Sequence, residues 1–183
     1  MWVKPMSTTT QQIDTRLFGK EVSLSLDGPW SAYWLVFIRV MLGWWFLGSG
    51  ISKVVEYGVF YDSYGYLMFG TEGTIVYPVT SWFAENAVWL PDLLVPWGQI
   101  AIGLGLIFGV MVRLASANMI FLLTFFYLGG AGWANGFITG ELLGIMLVIT
   151  VIIYGAGRVW GLDAYLEETE FVQKRPRLKY LMG

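Results

Sequence analysis

The sequence predicts an all-α integral membrane protein, a four-helix bundle with a long aromatic-rich outer connection between helices 1 and 2. Three observations lead there. Of the 183 residues, 56% are hydrophobic and 13% charged, about half the charge of an ordinary soluble domain. Four apolar runs, Ser31 to Ile51, Leu93 to Val112, Ala115 to Trp133 and Ile138 to Val159, each approach the roughly 20 residues that a helix needs to cross the hydrocarbon of a bilayer. Lysine and arginine gather at the ends of these runs instead of forming a patch, so charge reports topology.

Residues 1–30 read as a cytoplasmic N-terminal segment. They have no continuous apolar stretch before a small-residue cleavage site, so no signal peptide is expected. The first helix is announced by Asp27-Gly28-Pro29, a turn with proline near the first helical position, where its missing N–H costs nothing. Within that helix runs IRVMLGWWFLGSGISK, in which Arg39, Gly43, Phe46, Gly50 and Lys53 fall on one stripe at 3.6 residues per turn. Residues 54–92 follow as a connection dense in tyrosine, phenylalanine and tryptophan, a composition that favours the headgroup level. This segment is expected to lie in the outer interface, with a short helix from Ser81 to Leu90 that ends at Pro91. Helices 2 to 4 complete a single transmembrane domain over residues 31–161, and residues 162–183 form a cytoplasmic tail whose basic end suits anionic headgroups.

The cations fix the expected orientation. Lys4, Arg16 and Lys20 precede the first helix, Lys53 alone marks the first connection and Arg113 the second, while Arg158, Lys174, Arg175, Arg177 and Lys179 follow the fourth helix. With positive charge inside, the chain is a multi-pass protein of the plasma membrane with both termini cytoplasmic and the first and third connections outside.

Composition also excludes. No cysteine and no histidine occur, which removes the usual ligands of zinc, haem, copper and iron–sulfur clusters and the nucleophile schemes built on those residues. The eight methionines read as packing, so no metal site and no intrinsic cofactor is expected. A net charge of −2 gives no argument for nucleic acid. Glycine pairs at four-residue spacing, Gly105 with Gly109, Gly136 with Gly140, Gly140 with Gly144 and Gly157 with Gly161, favour close helix approach without naming an activity.

Polar groups inside apolar helices carry the functional reading, because an ionisable group in lipid is costly. Lys53 and Glu141 lie at similar depth near the outer side and are placed to pair. Gln99 belongs to the same outer half. Arg39 lies eight residues beyond Ser31, roughly 12 Å along the helix, with no carboxylate at its own depth; its partner is Asn118, a set of freed helix carbonyls, or a ligand. The structural reading makes Lys53 a snorkelling side chain and Arg39 a clamp on carbonyls. The functional reading makes Arg39, Lys53, Gln99 and Glu141, with Trp44, Trp45 and Trp97 as ring surfaces, a polar pocket for a redox lipid such as a quinone.

The motif IRVMLGWWFLGSGISK resembles the first-helix signature of the DoxX-like membrane proteins. The similarity continues through GQIAIGLGLIFGVMVRLAS, NGFITGELL and IYGAGRVWGLDAYL, and covers roughly Tyr33 to Leu166. The matched positions are Arg39, Gly43, Phe46, Gly50, Lys53, Arg113, Asn135, Gly136, Glu141, Gly157, Arg158 and Asp163; Gly43, Phe46, Gly50, Arg113, Arg158 and Asp163, with Asn118 beside them, are read as structural. The resemblance implies a four-helix membrane protein, and its DoxD branch implies a membrane subunit of a thiosulfate:quinone oxidoreductase associated with terminal quinol oxidase.

Two functions therefore stand side by side. One is a quinone-binding electron-transfer subunit of the respiratory chain; the other is a non-catalytic accessory or assembly subunit of a quinol oxidase complex. Both imply contact with membrane lipid and with a second membrane or periplasm-facing subunit or a respiratory complex, and both allow a homo-oligomer. A transporter ranks last, because neither inverted repeats nor interrupted helices stand out.

Overall fold

The computed structural model describes residues 11–17, 20–26, 29–130, 136–167, 169–173 and 181–182. The Asp27-Gly28 turn, Lys4, Asn135, the expected end of the third helix at Trp133 and the basic tail residues Lys174, Arg175, Arg177 and Lys179 lie outside them.

The chain is an all-α membrane protein with a small hairpin added at its start. Strands β1 (Gln11–Leu17) and β2 (Lys20–Leu26) pair antiparallel, Gln11 opposite Leu26 and Leu17 opposite Lys20. The alternation in EVSLSL has the period of a strand, which places regular structure in a segment for which the apolar pattern predicted none.

Helix α1 (Pro29–Tyr57) is followed by a single π-helical turn (Tyr66–Gly70), then α2 (Tyr77–Asn86), α3 (Trp89–Phe108), α4 (Val112–Gly129), α5 (Gly140–Ile153) and the short helices α6 (Leu162–Glu167) and α7 (Glu170–Gln173). Helices α1, α3, α4 and α5 form the bundle. Their shared core contains Leu35, Leu42, Phe46, Ile102, Leu106, Met119, Leu123, Val148 and Val151. Three of them, α1 from Trp30, α3 and α4, are long and apolar enough to cross a membrane.

The stripe on α1 is the inward face. Phe46 is buried in the core, and the two glycines set the distance to α3. A Cβ on Gly43 would sit 2.9 Å from the Gly103 carbonyl oxygen, one on Gly50 2.8 Å from that of Pro96, and one on Gly103 2.6 Å from the Leu47 amide nitrogen. Backbone therefore touches backbone, as small residues permit in lipid. Gly103, which carries half of this contact, stands outside the four-residue pairs picked out by spacing. Of those pairs, Gly144 packs against Trp45 and Leu123, whereas nothing lies within 4 Å of a Cβ built on Gly136 or Gly140.

Several boundaries shift. Pro91 does not end a helix: the helix within the connection stops at Asn86, and Pro91 occupies the first turn of α3, where the N–H it lacks would have had no partner. The fourth helix stops at Ile153, six residues short of the expected Val159, and at 14 residues spans about 21 Å. Beyond it the chain unwinds at Gly155 (φ +57°) and reaches Trp160 in the left-handed region (φ +51°). The carbonyls released there meet Arg39.

Candidate functional site

The bundle has two polar ends, and the structure gives them different work. At the end where α3 turns into α4, Arg39 is buried with 1% of its surface exposed. Its Nη1 donates to the carbonyl oxygens of Ala156 and Val159, the latter at 3.0 Å, and Nη2 donates to that of Trp160 at 3.3 Å. The guanidinium fits because Gly109 and Gly161 meet there: a Cβ on Gly109 would lie 2.6 Å from the Gly161 Cα and 3.0 Å from Arg39 Nη1. Of the three partners open to Arg39, freed carbonyls are the ones it uses. Asn118 is exposed and turns back to the Leu114 carbonyl.

The carboxylate thought missing is also present. Asp163, fully buried, interacts electrostatically with Arg39 and accepts from the backbone N–H groups of Met111 at 2.7 Å and Val112 at 3.0 Å. It thereby caps the N-terminus of α4, where a negative charge is favourable. Asp163 lies 124 positions from Arg39 in the chain, so depth counted along separate helices could not bring them together. Arg39, Asp163 and the 154–163 turn form a structural clamp. Arg113 and Arg158 are partly buried near this end of the chain's turns.

The opposite end holds the cavities. A cleft of about 560 Å³ is lined by Lys53, Tyr61, Ser63, Tyr66, Leu90, Leu94, Phe121, Phe125, Phe126 and Glu141 among others, within the size range of small-molecule sites. Beside it lies a chamber of about 210 Å³ lined by Trp45, Phe46, Ser49, Lys53, Gln99, Leu123, Phe126 and Glu141. Lys53, Phe126 and Glu141 border both. The structure thus gathers Lys53, Gln99 and Glu141 around one space, as their depths suggested.

Their bonding differs from the expected pair. Lys53 Nζ donates back along its own helix to Ser49, to the carbonyl oxygen at 3.2 Å and to Oγ at 3.1 Å, and stands 5.7 Å from the centre of the Tyr61 ring. Among the described residues no hydrogen bond or ion pair joins it to Glu141, which borders both cavities. Gln99 is buried, with 3% of its surface exposed, and its Oε1 has no hydrogen-bond partner. An unmade bond on a buried amide oxygen costs about 1–3 kcal/mol, and this oxygen is itself shut away from the chamber's open space.

The connection roofs the cleft and is tied down by α3. Pro96 has no N–H to give to the Asp92 carbonyl one turn earlier, and the Tyr61 amide takes that carbonyl at 3.0 Å. The Asp92 side chain accepts from the Ser63 amide at 2.8 Å and the Ser63 hydroxyl at 2.5 Å. Buried Thr71 and Thr80 place their hydroxyls 2.6 Å apart. Trp97 donates to the Val59 carbonyl at 3.2 Å. Trp44 is 67% exposed on the outside of α1, whereas Trp45 lines the chamber. Tyr66, packed edge-on against Phe126, has its phenol pushed above its ordinary pKa by burial and then by the charge of Glu141. Sequence reading passed over Asp92 and Tyr66; the spacing of Pro96 four residues after Asp92 was the one legible signal for the former.

A family model for DoxX matches residues 34–131, more than half of the chain. The protein belongs to the DoxX family. The matched region of this DoxX-family chain contains Arg39, Lys53, Asp92 and Gln99, whereas Glu141 and Asp163 lie beyond it. Comparison with curated proteins and with solved structures returned no match.

Proposed function

We propose that this DoxX-family protein binds a quinone in the paired cavities and serves the respiratory chain as a membrane subunit passing electrons to it from thiosulfate, as its likeness to the DoxD branch suggests. The observation that supports this reading most is the join between an apolar, aromatic cleft and a smaller chamber where Lys53, Gln99 and Glu141 converge. A quinone needs both: ring and tail pack on apolar walls, and its oxygens need hydrogen-bonding partners. Two thiosulfate ions joined by a new S–S bond release two electrons, and a quinone takes both with two protons to become the quinol. Lys53 supplies a cation near the reacting oxygens, and Glu141 supplies a carboxylate that can take a proton from water and pass it on to a quinol oxygen. The chain has no cysteine or histidine, so a second subunit facing the outer side is the natural partner for the sulfur chemistry. Both termini are then cytoplasmic and the cavities open near the outer face.

The test is purification of the full chain in lipid nanodiscs, with extraction of bound quinone and measurement of thiosulfate-dependent quinone reduction alone and with the membrane fraction. Bound quinone, with reduction lost in Lys53→Ala and Glu141→Ala at unchanged assembly, is the expected result. A chain without quinone whose removal only dissociates a quinol oxidase would instead be the accessory subunit.

A further inference from the structure

The cleft and the chamber are walled differently, and the side chains around them leave one way in. The cleft lies between α3 and α4, with Leu90, Leu94 and Val95 on one wall and Phe121, Leu122 and Phe125 on the other. Leu94 is 56% exposed and Phe121 68%, and both helices are long and apolar enough to span a membrane. The mouth between these two side chains therefore faces hydrocarbon. At their far ends the helices close, where a Cβ on Gly105 would lie 3.2 Å from the Ala115 Cβ. Tyr61, Ser63, Tyr66 and Leu67 of the connection cover the headgroup side, fastened to α3 through Asp92.

The chamber is shut on its α5 side by Trp45. This ring lines the chamber, stands edge-on to Phe46 and reaches across from α1 to α5, where a Cβ on Gly144 would lie 2.9 Å from Cζ3 and 3.3 Å from Cη2. Glycine at 144 is what lets the ring seat there. Toward the cleft, the chamber shares Lys53, Phe126 and Glu141 with it. Phe126 is the apolar member of that border, 6.3 Å from the Tyr66 ring of the roof, centre to centre. A phenyl ring carries no polar atom, so swinging it aside breaks no hydrogen bond.

We propose that the ligand loads sideways from the bilayer, entering between Leu94 and Phe121 and displacing the Phe126 ring to bring its head into the chamber while an apolar tail stays in the cleft. This rests on the quinone reading above and adds to it the route, the gate and the requirement for a tail. The roof bars approach from the headgroup side, so the site fills from what is dissolved in hydrocarbon, the phase in which a prenyl chain resides. Displacement of one ring is then the gating step.

Because the chain contains no cysteine, the mouth can be closed chemically. The experiment follows uptake of a radiolabelled prenyl benzoquinone by the full chain carrying Leu94→Cys and Phe121→Cys in nanodiscs, before and after a bifunctional methanethiosulfonate joins the two positions. Uptake lost on bridging, and recovered when the bridged chain also carries Trp45→Ala, is the expected result, since removing that ring opens the chamber from the α5 side. Unchanged uptake after bridging, or a loss that persists with Trp45→Ala, overturns the inference and leaves quinone binding standing. Phe126→Ala should quicken both uptake and release, and unchanged rates would remove the gate. A further arm uses the unaltered chain and a benzoquinone whose tail ends in a diazirine. Label on α3 and α4 around Leu94 and Phe121 is expected, and label around Trp45 and Gly144 overturns the route; this arm decides even if the substituted chains fail to fold. No uptake by the unaltered chain removes the quinone reading itself.

Discussion

Arg39→Met would leave the carbonyls of Ala156, Val159 and Trp160 buried without their donor, at a cost of at least about 3 kcal/mol. A marked drop in the unfolding midpoint in detergent, together with early proteolysis in the 154–163 turn, checks it. Arg39→Lys should recover only part of the loss, because one ammonium cannot reproduce a guanidinium's spread of donors over three carbonyls. Asp163→Ala removes the acceptor for the Met111 and Val112 amides and should cost about 1–2 kcal/mol as a lost helix cap. Neither substitution touches the cavities, so quinone binding by the folded fraction should persist. Lys53→Ala and Glu141→Ala should behave oppositely, changing ligand binding with little effect on the midpoint, since no ion pair is broken.

Between elements, the decisive contact is α1 on α3. Gly103→Val places a branched side chain where even a Cβ would lie 2.6 Å from the Leu47 amide nitrogen, so the helices must separate. Loss of the monodisperse folded protein on size-exclusion chromatography is expected, and normal yield would show that the backbones can part without harm. The connection is the second such element. Tyr66 has its phenol pushed upward by burial and Glu141; folding thus favours the protonated form. The stability it contributes is complete below its ordinary value near 10.0 and fades as pH climbs through the raised value. Tyr66→Phe should flatten the alkaline arm of stability against pH, read from unfolding midpoints in matched buffers.

For the whole molecule, the proposed orientation puts the cavity end outside and the termini inside. Because the chain contains no cysteine, single substitutions report sidedness without background. Exposed Glu72→Cys in the connection should react with a membrane-impermeant maleimide added to intact cells, and exposed Gln173→Cys only after lysis. The reverse pattern would turn the topology over.

What was legible follows from which information is local. Apolar runs and the 3.6-residue stripe located α1, α3 and α4, with starts within four residues, although α1 runs on to Tyr57, six residues past the expected Ile51, because burial in lipid is decided by composition along one helix. The stripe of Gly43, Phe46 and Gly50 was readable for the same reason, as were the similar depths of Lys53, Gln99 and Glu141. Pro91 and the end of α5 were misplaced because local signals there are overruled: a proline is harmless in a first turn, and the 154–161 segment unwinds toward a guanidinium supplied by α1.

The sequence by itself determined that this is a membrane protein of packed helices, which face of α1 turns inward, and that Lys53, Gln99 and Glu141 lie at similar depth, since each of these depends on periodicity and distance along a single helix. The tertiary structure alone decided that Arg39 clamps the carbonyls of Ala156, Val159 and Trp160, that Asp163 is the carboxylate beside it, and that Gln99 borders one chamber with Lys53 and Glu141. Those outcomes depend on contacts between residues remote in the chain, where three-dimensional packing, and not spacing, chooses the partner.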